Sequence, residues 1–130
     1  MQIYSGKRLF QGEERYHSTL DLIRRSAKRY PNAPAYMFRR KPNSKVLIRS
    51  YSELLADVEA LGTALQRHFP GRPNMALLGE NCYEWAVSYN AVINGAGVIV
   101  PIDRMTPQGE LLILLERSHS EVLILTPRHL

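Results

Sequence analysis

Residues 75–103 read MALLGENCYEWAVSYNAVINGAGVIVPID, and this stretch decides the fold. The fully apolar run at 75–78 predicts one short β-strand, and the run at 98–100 predicts another. The residues between the two runs have the apolar spacing of a helix. Strands without polar alternation need cover on both faces, as in parallel sheets. The stretch therefore predicts a strand–helix–strand unit with a right-handed crossover.

Capping residues mark the ends of the helix in this unit. Asn81 is predicted as the N-cap, with Glu84 at the third helical position as its capping partner. Gly95 and Gly97 predict the C-terminal stop of the helix. Pro101 is expected to end the strand that follows.

The residues before this unit predict a helix and a β-hairpin. Ser18 or Thr19 is the expected N-cap of the first helix. Pro31 ends that helix, because proline disfavours the helical conformation in the residue before it. Apolar segments at 35–38 and 46–48 flank a polar turn with proline and asparagine, which predicts a hairpin.

Two more helices and a last strand complete the pattern. Ser50 and Glu53 form a predicted capping box that opens a long amphipathic helix. Thr106 is the predicted N-cap of the last helix, with Pro107 at its first helical position. The apolar run at 122–125 predicts the final strand.

The order of these elements indicates an α/β fold. We predict a mostly parallel sheet layered with helices in a flavodoxin-like or Rossmann-like style, with an N-terminal β-hairpin. Residues 1–17 show no period and are predicted to form an extended arm, whereas 18–130 form one α/β subdomain. Because the sheet stops at the last strand, we expect an open edge that leads to self-association or accepts another polypeptide.

Charge is unevenly distributed along the chain. The net charge of +5 combines +9 in residues 1–50 with −4 in residues 51–130. Such a split is compatible with nucleic-acid binding, but no RNA-binding, zinc or leucine-zipper pattern accompanies it. A solvated helix face and a basic hairpin explain it better, and contact with anionic membrane or coenzyme A phosphates is a weaker alternative. The single Cys82 and the lack of a long apolar segment favour a cytoplasmic protein without a transmembrane helix.

Candidate reactive side chains are scattered. Ligands in open α/β sheets bind beyond the carboxyl ends of the strands, so Asp103 could line a crevice, but it has no carboxylate partner. Cys82 is expected to be a packed thiol, and Trp85 with Tyr89 to lie on an apolar helix face that continues to Val92 and Ala96. The histidines lack ligand spacing and are expected at the surface or at helix ends: His17, His68, His119 and His129. The sequence thus predicts no catalytic, cofactor-binding or metal-binding residue.

Several segments resemble the N-terminal part of AMP-forming acyl-CoA synthetases. They are Ser50–Leu54, Asp57–Leu65, Gly79–Trp85 and Gly97–Asp103, with Glu116–Ser118 before the last strand. The resemblance runs from about Leu20 to Leu125. Within this family, the sequences of residues 80–85 and 61–63 are most similar to those of the bacterial long-chain fatty-acid ligases.

The resemblance implies an enzyme that activates a fatty acid with ATP and magnesium and transfers the acyl group to coenzyme A. The phosphate loop, the adenine motif, the ribose-binding aspartate and the catalytic lysine of the family have no counterpart in 1–130. The resemblance therefore implies an N-terminal fragment that is inactive alone and whose partner is the rest of the parent enzyme. Two alternatives stay open, namely an aryl or short-chain acyl ligase and a non-catalytic interaction module derived from the family.

Overall fold

The computed structural model describes residues 16–126, and it confirms the predicted order of elements. The helices are α1 (Thr19–Arg29), α2 (Tyr51–His68), α3 (Tyr83–Ala91), which runs into a π-helical turn (Val92–Ala96), and α4 (Gln108–Arg117). The strands are β1 (Pro34–Phe38), β2 (Leu47–Ser50), β3 (Asn74–Leu78), β4 (Val98–Ile102) and β5 (Ser120–Leu125). No helix within 16–126 is both long and apolar enough to cross a membrane.

The described strands form two sheets. β1 and β2 pair antiparallel as the predicted hairpin. β3 lies between β4 and β5 and is parallel to both, which gives the order β4-β3-β5. This is the 2-1-3 order of flavodoxin-like sheets, and it confirms the predicted α/β class.

Helices cover the two faces of the parallel sheet. Successive residues of a strand point to opposite faces, so Met75 and Ala76 belong to different layers. Met75 packs with Val92 and Ala96 under α2 and the π-helical turn. Ala76 lies on the other face, in a cluster with Leu78 that is covered by α4. A third cluster joins the hairpin to the helices and includes Leu54, Val58, Tyr83 and Val87.

Two predicted caps are confirmed. The hydroxyl of Ser18 accepts a hydrogen bond from the backbone N–H of Asp21 at 3.1 Å. At the start of α2, the hydroxyl of Ser50 accepts from the Glu53 N–H at 3.2 Å. The carboxylate of Glu53 accepts in return from the Ser50 N–H at 2.8 Å, which completes the capping box.

The predicted cap of α3 is wrong by one residue. Cys82, not Asn81, occupies the N-cap position of α3, and its side chain makes no capping hydrogen bond. The end of β3 is held to the residue that follows β5, because the Thr126 N–H donates to the Leu78 carbonyl at 3.2 Å. The chain then bends at residues 79, 81 and 82 before α3 begins at Tyr83. Glu84 therefore occupies the second helical position and pairs with another element.

Two predictions about proline also need correction. Pro101 does not end β4, which continues to Ile102. β4 pairs with β3 alone in the described sheet, and an edge strand tolerates a residue without an N–H. Pro107 occupies the N-cap position of α4 and not its first helical position. Thr106, the predicted cap, takes part in a turn instead, because its backbone N–H donates to the carbonyl of Asp103 at 3.0 Å.

Candidate functional site at the strand ends

A crevice lies at the carboxyl ends of the parallel strands. The chain leaves β3 towards α3 on one face and leaves β4 towards α4 on the other. Connections that diverge from neighbouring strands open a crevice, which is where α/β sheets bind their ligands. The loop at Glu80–Cys82 divides this crevice into two grooves that share Asn81.

The first groove, next to β5, has a volume of about 230 Å³. Its wall comes from the hairpin, the loop after β3, the first turn of α3 and the end of β5; it consists of Phe38, Arg39, Arg40, Glu80, Asn81, Cys82, Glu84 and Thr126. Arg40 forms an ion pair with Glu84 and stacks its guanidinium 5.3 Å from the centre of the Phe38 ring. Hairpin and α3 are thereby joined across the groove.

Ionisation in this groove is governed by that ion pair. Burial raises the pKa of the Glu84 carboxyl, but hydrogen bonds from Arg40 and from the backbone outweigh it and hold that pKa below the usual value. The hydrogen bond to Glu84 raises the pKa of Arg40 above its already high value. Both groups are therefore charged at neutral pH. A pair that is fully ionised at neutral pH is suited to fastening the loop, not to donating or accepting protons.

Close packing behind the first groove requires a glycine at position 79. A Cβ atom at Gly79 would lie 2.3 Å from Cγ2 and 2.8 Å from Cβ of Thr126. Thr126 is only 5% exposed, so it has little room to move. Its hydroxyl also accepts a long hydrogen bond, 3.4 Å, from the Glu80 N–H. Gly79 therefore allows the ends of β3 and β5 to meet.

The second groove, next to β4, has a volume of about 370 Å³. Its lining comprises Gly79, Asn81, Trp85, Pro101, Ile102, Asp103 and Arg104. Arg104 donates to Glu80 at 2.9 Å, which ties the loop after β4 to the loop after β3. The Asp103 carboxylate accepts from the Met105 N–H at 2.8 Å and so closes a turn. Asp103 therefore lies at the crevice, as the sequence suggested, and stabilises the loop there.

Trp85 and Tyr89 occupy the wall of α3. Their rings stack at 5.3 Å with an interplanar angle of 16°. Both are half-buried, so the predicted apolar face is only partly correct. Tyr83, Val87 and Ala91 form the buried face of α3 instead. Val92 and Ala96 belong to the π-helical turn, so the four residues of the predicted face do not lie on one regular helix.

The structure does not assemble the histidines into a site. His17 lies before α1, and its backbone N–H donates to Asp21 at 3.2 Å. His68 ends α2, and His119 adopts a positive φ of 50° in the turn before β5. His129 lies outside the described residues. Within 16–126 no group of three or more His, Cys, Asp or Glu side chains could hold a metal ion.

The basic first third is partly neutralised by ion pairs. Arg24 pairs with Glu59 at 2.7 Å, and Arg25 pairs with Asp21 at 2.9 Å. Arg40 is held by Glu84, as described above. These contacts agree with a solvated, structural role for the basic residues. The sequence could not reveal the pair of Arg40 with Glu84, because these residues lie 44 positions apart.

A second polar cluster was not predicted from the sequence. The Tyr83 hydroxyl donates to the Asp57 carboxylate at 2.6 Å across α2 and α3. Burial, followed by this hydrogen bond, raises the pKa of Tyr83 well above its ordinary value. The guanidinium of Arg49 lies 5.7 Å from the centre of the Tyr83 ring. This cluster joins the helices behind the crevice and leaves Tyr83 neutral at physiological pH.

Comparison with known proteins identifies the family. The profile of the family described as "AMP-binding enzyme" matches residues 23–130. No curated protein matches the chain. The N-terminal subdomain of Klebsiella oxytoca NpsA, solved with 3-hydroxyanthranilyl-AMSN, is 21% identical with a TM-score of 0.70, covering 82% of this chain and 26% of that one.

A second solved structure gives the same result for the fold. The nonribosomal peptide synthetase FmoA3 is 22% identical with a TM-score of 0.70, and the match covers 84% of this chain and 11% of that chain. The chain thus spans about a quarter or less of the length of these structures. Its fold is that of the N-terminal subdomain of adenylate-forming enzymes. With a family profile matched over most of its length, the chain belongs to the AMP-binding enzyme family.

Proposed function

We propose that the chain is the opening portion of an ATP-dependent long-chain fatty-acid–CoA ligase. The observation that carries the proposal is the family match over residues 23–130. Enzymes of this family generally convert an acid and ATP to an acyl-adenylate. In the proposed parent enzyme, coenzyme A then accepts the acyl group, and magnesium accompanies the ATP.

We assign a long-chain fatty acid as the substrate on the basis of the amino-acid sequences of two segments. Residues 80–85 form the loop after β3 and the first turn of α3, and residues 61–63 lie in the middle of α2. Both resemble the bacterial long-chain ligases. A Cβ atom added at Gly62 would lie 3.6 Å from the carbonyl oxygen of Ala91, so α2 and α3 pack closely at this position. The two segments therefore belong to the packing of α2 and α3 and to the crevice.

This portion contributes structure and not chemistry to the proposed enzyme. Arg40 pairs with Glu84 and Arg104 pairs with Glu80, which fastens the hairpin to α3 and the loop after β4 to the loop after β3. The family motifs for phosphate, adenine and acyl transfer have no counterpart in 1–130. We therefore expect the isolated chain to be inactive, and we place the parent enzyme in the cytoplasm.

A second candidate is an enzyme that activates an aryl or amino acid. The specific observation in its favour is the likeness to NpsA, which was solved in complex with 3-hydroxyanthranilyl-AMSN and 3-hydroxybenzoyl-AMSN, and to a nonribosomal peptide synthetase. The third candidate is a non-catalytic module derived from the family. Neither alternative changes the expectation that 1–130 has no activity alone.

The experiment starts with the gene beyond codon 130. A phosphate loop there supports an enzyme, whereas a natural stop codon supports the module. The whole gene product is then assayed for acid-dependent exchange of pyrophosphate into ATP with fatty, aryl and amino acids. Exchange with long-chain fatty acids, followed by a coenzyme A thioester, supports the proposal. Exchange with aryl or amino acids alone contradicts the long-chain assignment.

The isolated chain provides the second arm of the experiment. Residues 1–130 are assayed under the same conditions and are expected to give no exchange above background. The reason is that the phosphate loop of the family, which would preorganise charge around the transferring phosphates, has no counterpart in the sequence 1–130. Measurable exchange by the pure chain would contradict the structural role proposed for it.

A further inference from the structure

The β-hairpin has an outer face that carries exposed apolar side chains. Successive residues of a strand point to opposite faces. Tyr36 and Phe38 point inward, where their rings lie 5.6 and 5.5 Å from the ring of Tyr83. Met37 therefore points outward, and its partner on the neighbouring strand is Ile48. Met37 is 63% exposed and Ile48 is 55% exposed, so the hairpin presents an apolar cross-strand pair to solvent.

The loop that joins the two strands of the hairpin is basic. Arg39, Lys41 and Lys45 lie in this loop, between the end of β1 and the start of β2, and all three are exposed. The guanidinium of Arg39 donates to the carbonyl of Ser44 at 2.8 Å. That bond closes the turn and leaves the positive charge in place. We call these three side chains the basic tip.

No carboxylate balances the basic tip. Within residues 16–126, none of its three side chains forms an ion pair. The sequence gives the reason, because residues 22–52 contain no Asp or Glu. Two other arginines of the hairpin, Arg40 and Arg49, are held by Glu84 and Glu53 and so belong to the fold. The basic tip is therefore available to an anionic partner.

The apolar residues that α4 exposes have different neighbours. Leu112 is 62% exposed and Ile113 is 54% exposed. The exposed charges beside them are Glu110, Glu116 and Arg117, which are acidic in sum. Carboxylates are repelled by an anionic surface, whereas clusters of lysine and arginine are attracted to it. Of these two exposed apolar areas, the hairpin is thus the one that is complementary to an anionic surface.

The outer face of the hairpin fits a lipid bilayer better than a nucleic acid. Proteins bind single-stranded nucleic acids by stacking bases on aromatic side chains. Phe38, the aromatic residue next to the basic tip, points inward and stacks on Tyr83 with an interplanar angle of 4°. The outward side chains, Met37 and Ile48, are aliphatic. Side chains of this kind enter the boundary between lipid headgroups and acyl chains, and neighbouring lysines and arginines reach the headgroups.

We propose that the outer face of the hairpin docks the protein on an anionic lipid bilayer. Met37 and Ile48 enter the boundary between headgroups and acyl chains, and the basic tip contacts the anionic headgroups. Two aliphatic side chains and three cations give reversible attachment, to which each cation contributes about fivefold in affinity. The inference goes beyond the proposed function, because it does not depend on which acid the parent enzyme activates.

The experiment measures co-sedimentation of residues 1–130, and of the whole gene product, with lipid vesicles. One set of vesicles is phosphatidylcholine alone, and the other also contains phosphatidylglycerol. Ile48→Ser changes the apolar pair and has Leu112→Ser as its matched control on α4. Lys41→Gln changes the basic tip and has Lys28→Gln, at an exposed lysine of α1, as its control. Because these residues are exposed, each variant should fold, which circular dichroism checks.

We expect both proteins to bind the vesicles that contain phosphatidylglycerol and to bind phosphatidylcholine alone at least about tenfold more weakly. Lys41→Gln and Ile48→Ser should each weaken binding about fivefold, and each control less than about twofold. Equal effects of a variant and its control would overturn the proposal. So would equal binding to the two sets of vesicles, or no binding to either.

Two further results would assign the hairpin a different role. If 1–130 binds the vesicles and the whole gene product does not, the rest of the protein covers the hairpin, and the proposal is wrong. If the protein binds single-stranded RNA but not vesicles, and Lys41→Gln abolishes that binding, the partner is a nucleic acid. Failure of this inference is separable from failure of the proposed function. A gene product that forms a coenzyme A thioester without binding vesicles contradicts only the bilayer.

Discussion

On one face of the parallel sheet, α2 and the π-helical turn bury Met75 and Val92 completely. On the other face α4 covers the centre of the sheet and leaves Leu112 and Leu123 exposed. The same three strands thus support a well-buried layer on one face and a partly exposed layer on the other. The difference teaches that the stability of this portion comes mainly from the α2–α3 side, because the α4 side leaves large apolar side chains exposed.

The largest effect is expected from a substitution in the well-buried layer. Met75→Ala removes a side chain with 0% exposure and should lower the free energy of unfolding by about 2–5 kcal/mol. The matched substitution Leu112→Ala, in the partly exposed layer, should change it by less than about 0.5 kcal/mol. Urea unfolding of 1–130 measures both. Equal losses would mean that α4 is as well packed as α2 and α3.

The next effect concerns the place where β3 and β5 meet. Gly79→Ala forces a Cβ against Thr126 and should lower the free energy of unfolding by about 1–3 kcal/mol. Gly109→Ala in α4 is the matched control, because an added Cβ there meets nothing within 4 Å. It should stabilise the chain by up to about 1 kcal/mol through helix propensity. Thermal unfolding of both variants checks the contrast, which an unchanged Gly79→Ala melting curve would remove.

A smaller effect separates the two caps on the α2–α3 side. Ser50→Ala breaks the capping box and should cost about 1 kcal/mol of unfolding free energy. Asn81→Ala should cost little, because Asn81 is not the cap of α3. Chemical unfolding compares the two variants. A loss for Asn81→Ala as large as that for Ser50→Ala would restore the cap that the sequence first suggested.

Local signals in the sequence predicted most of the fold. Apolar runs, capping serines and glycine stops lie within a few residues of the elements they define, so α1, the hairpin, α2 and the parallel strands were predicted correctly. The errors at Asn81 and Pro101 have one origin: the start of α3 and the length of β4 depend on neighbouring strands, which the local sequence does not encode. The hydrogen bond from Thr126 to Leu78 is an example of such a contact.

The candidate crevice could be predicted in position but not in detail. The predicted ends of the strands indicated where it lies, and Asp103 was correctly predicted to line it. The ion pairs that organise it, Arg40 with Glu84 and Arg104 with Glu80, join residues from different elements. Such pairs follow from the tertiary arrangement and leave no local pattern. The same holds for the hydrogen bond of Tyr83.

The smallest expected effect is a dependence of the free energy of unfolding on pH that comes from the α2–α3 side. Tyr83 belongs to this side, and burial with its hydrogen bond to Asp57 raises its pKa above the value near 10 of an unfolded tyrosine. The folded chain therefore keeps this proton at a pH where the unfolded chain loses it, so stability is full below pH 10 and falls as the pH rises further. By pH 10.5 the loss from Tyr83 should be about 1 kcal/mol or less. Urea unfolding between pH 8 and 10.5 should show a shallower decline of the free energy of unfolding for Tyr83→Phe than for the unsubstituted chain. Tyr30→Phe changes a half-exposed tyrosine and is the control, for which we expect the full decline. Identical declines in all three proteins would mean that the Tyr83 hydroxyl is not held neutral by the packing of α2 against α3.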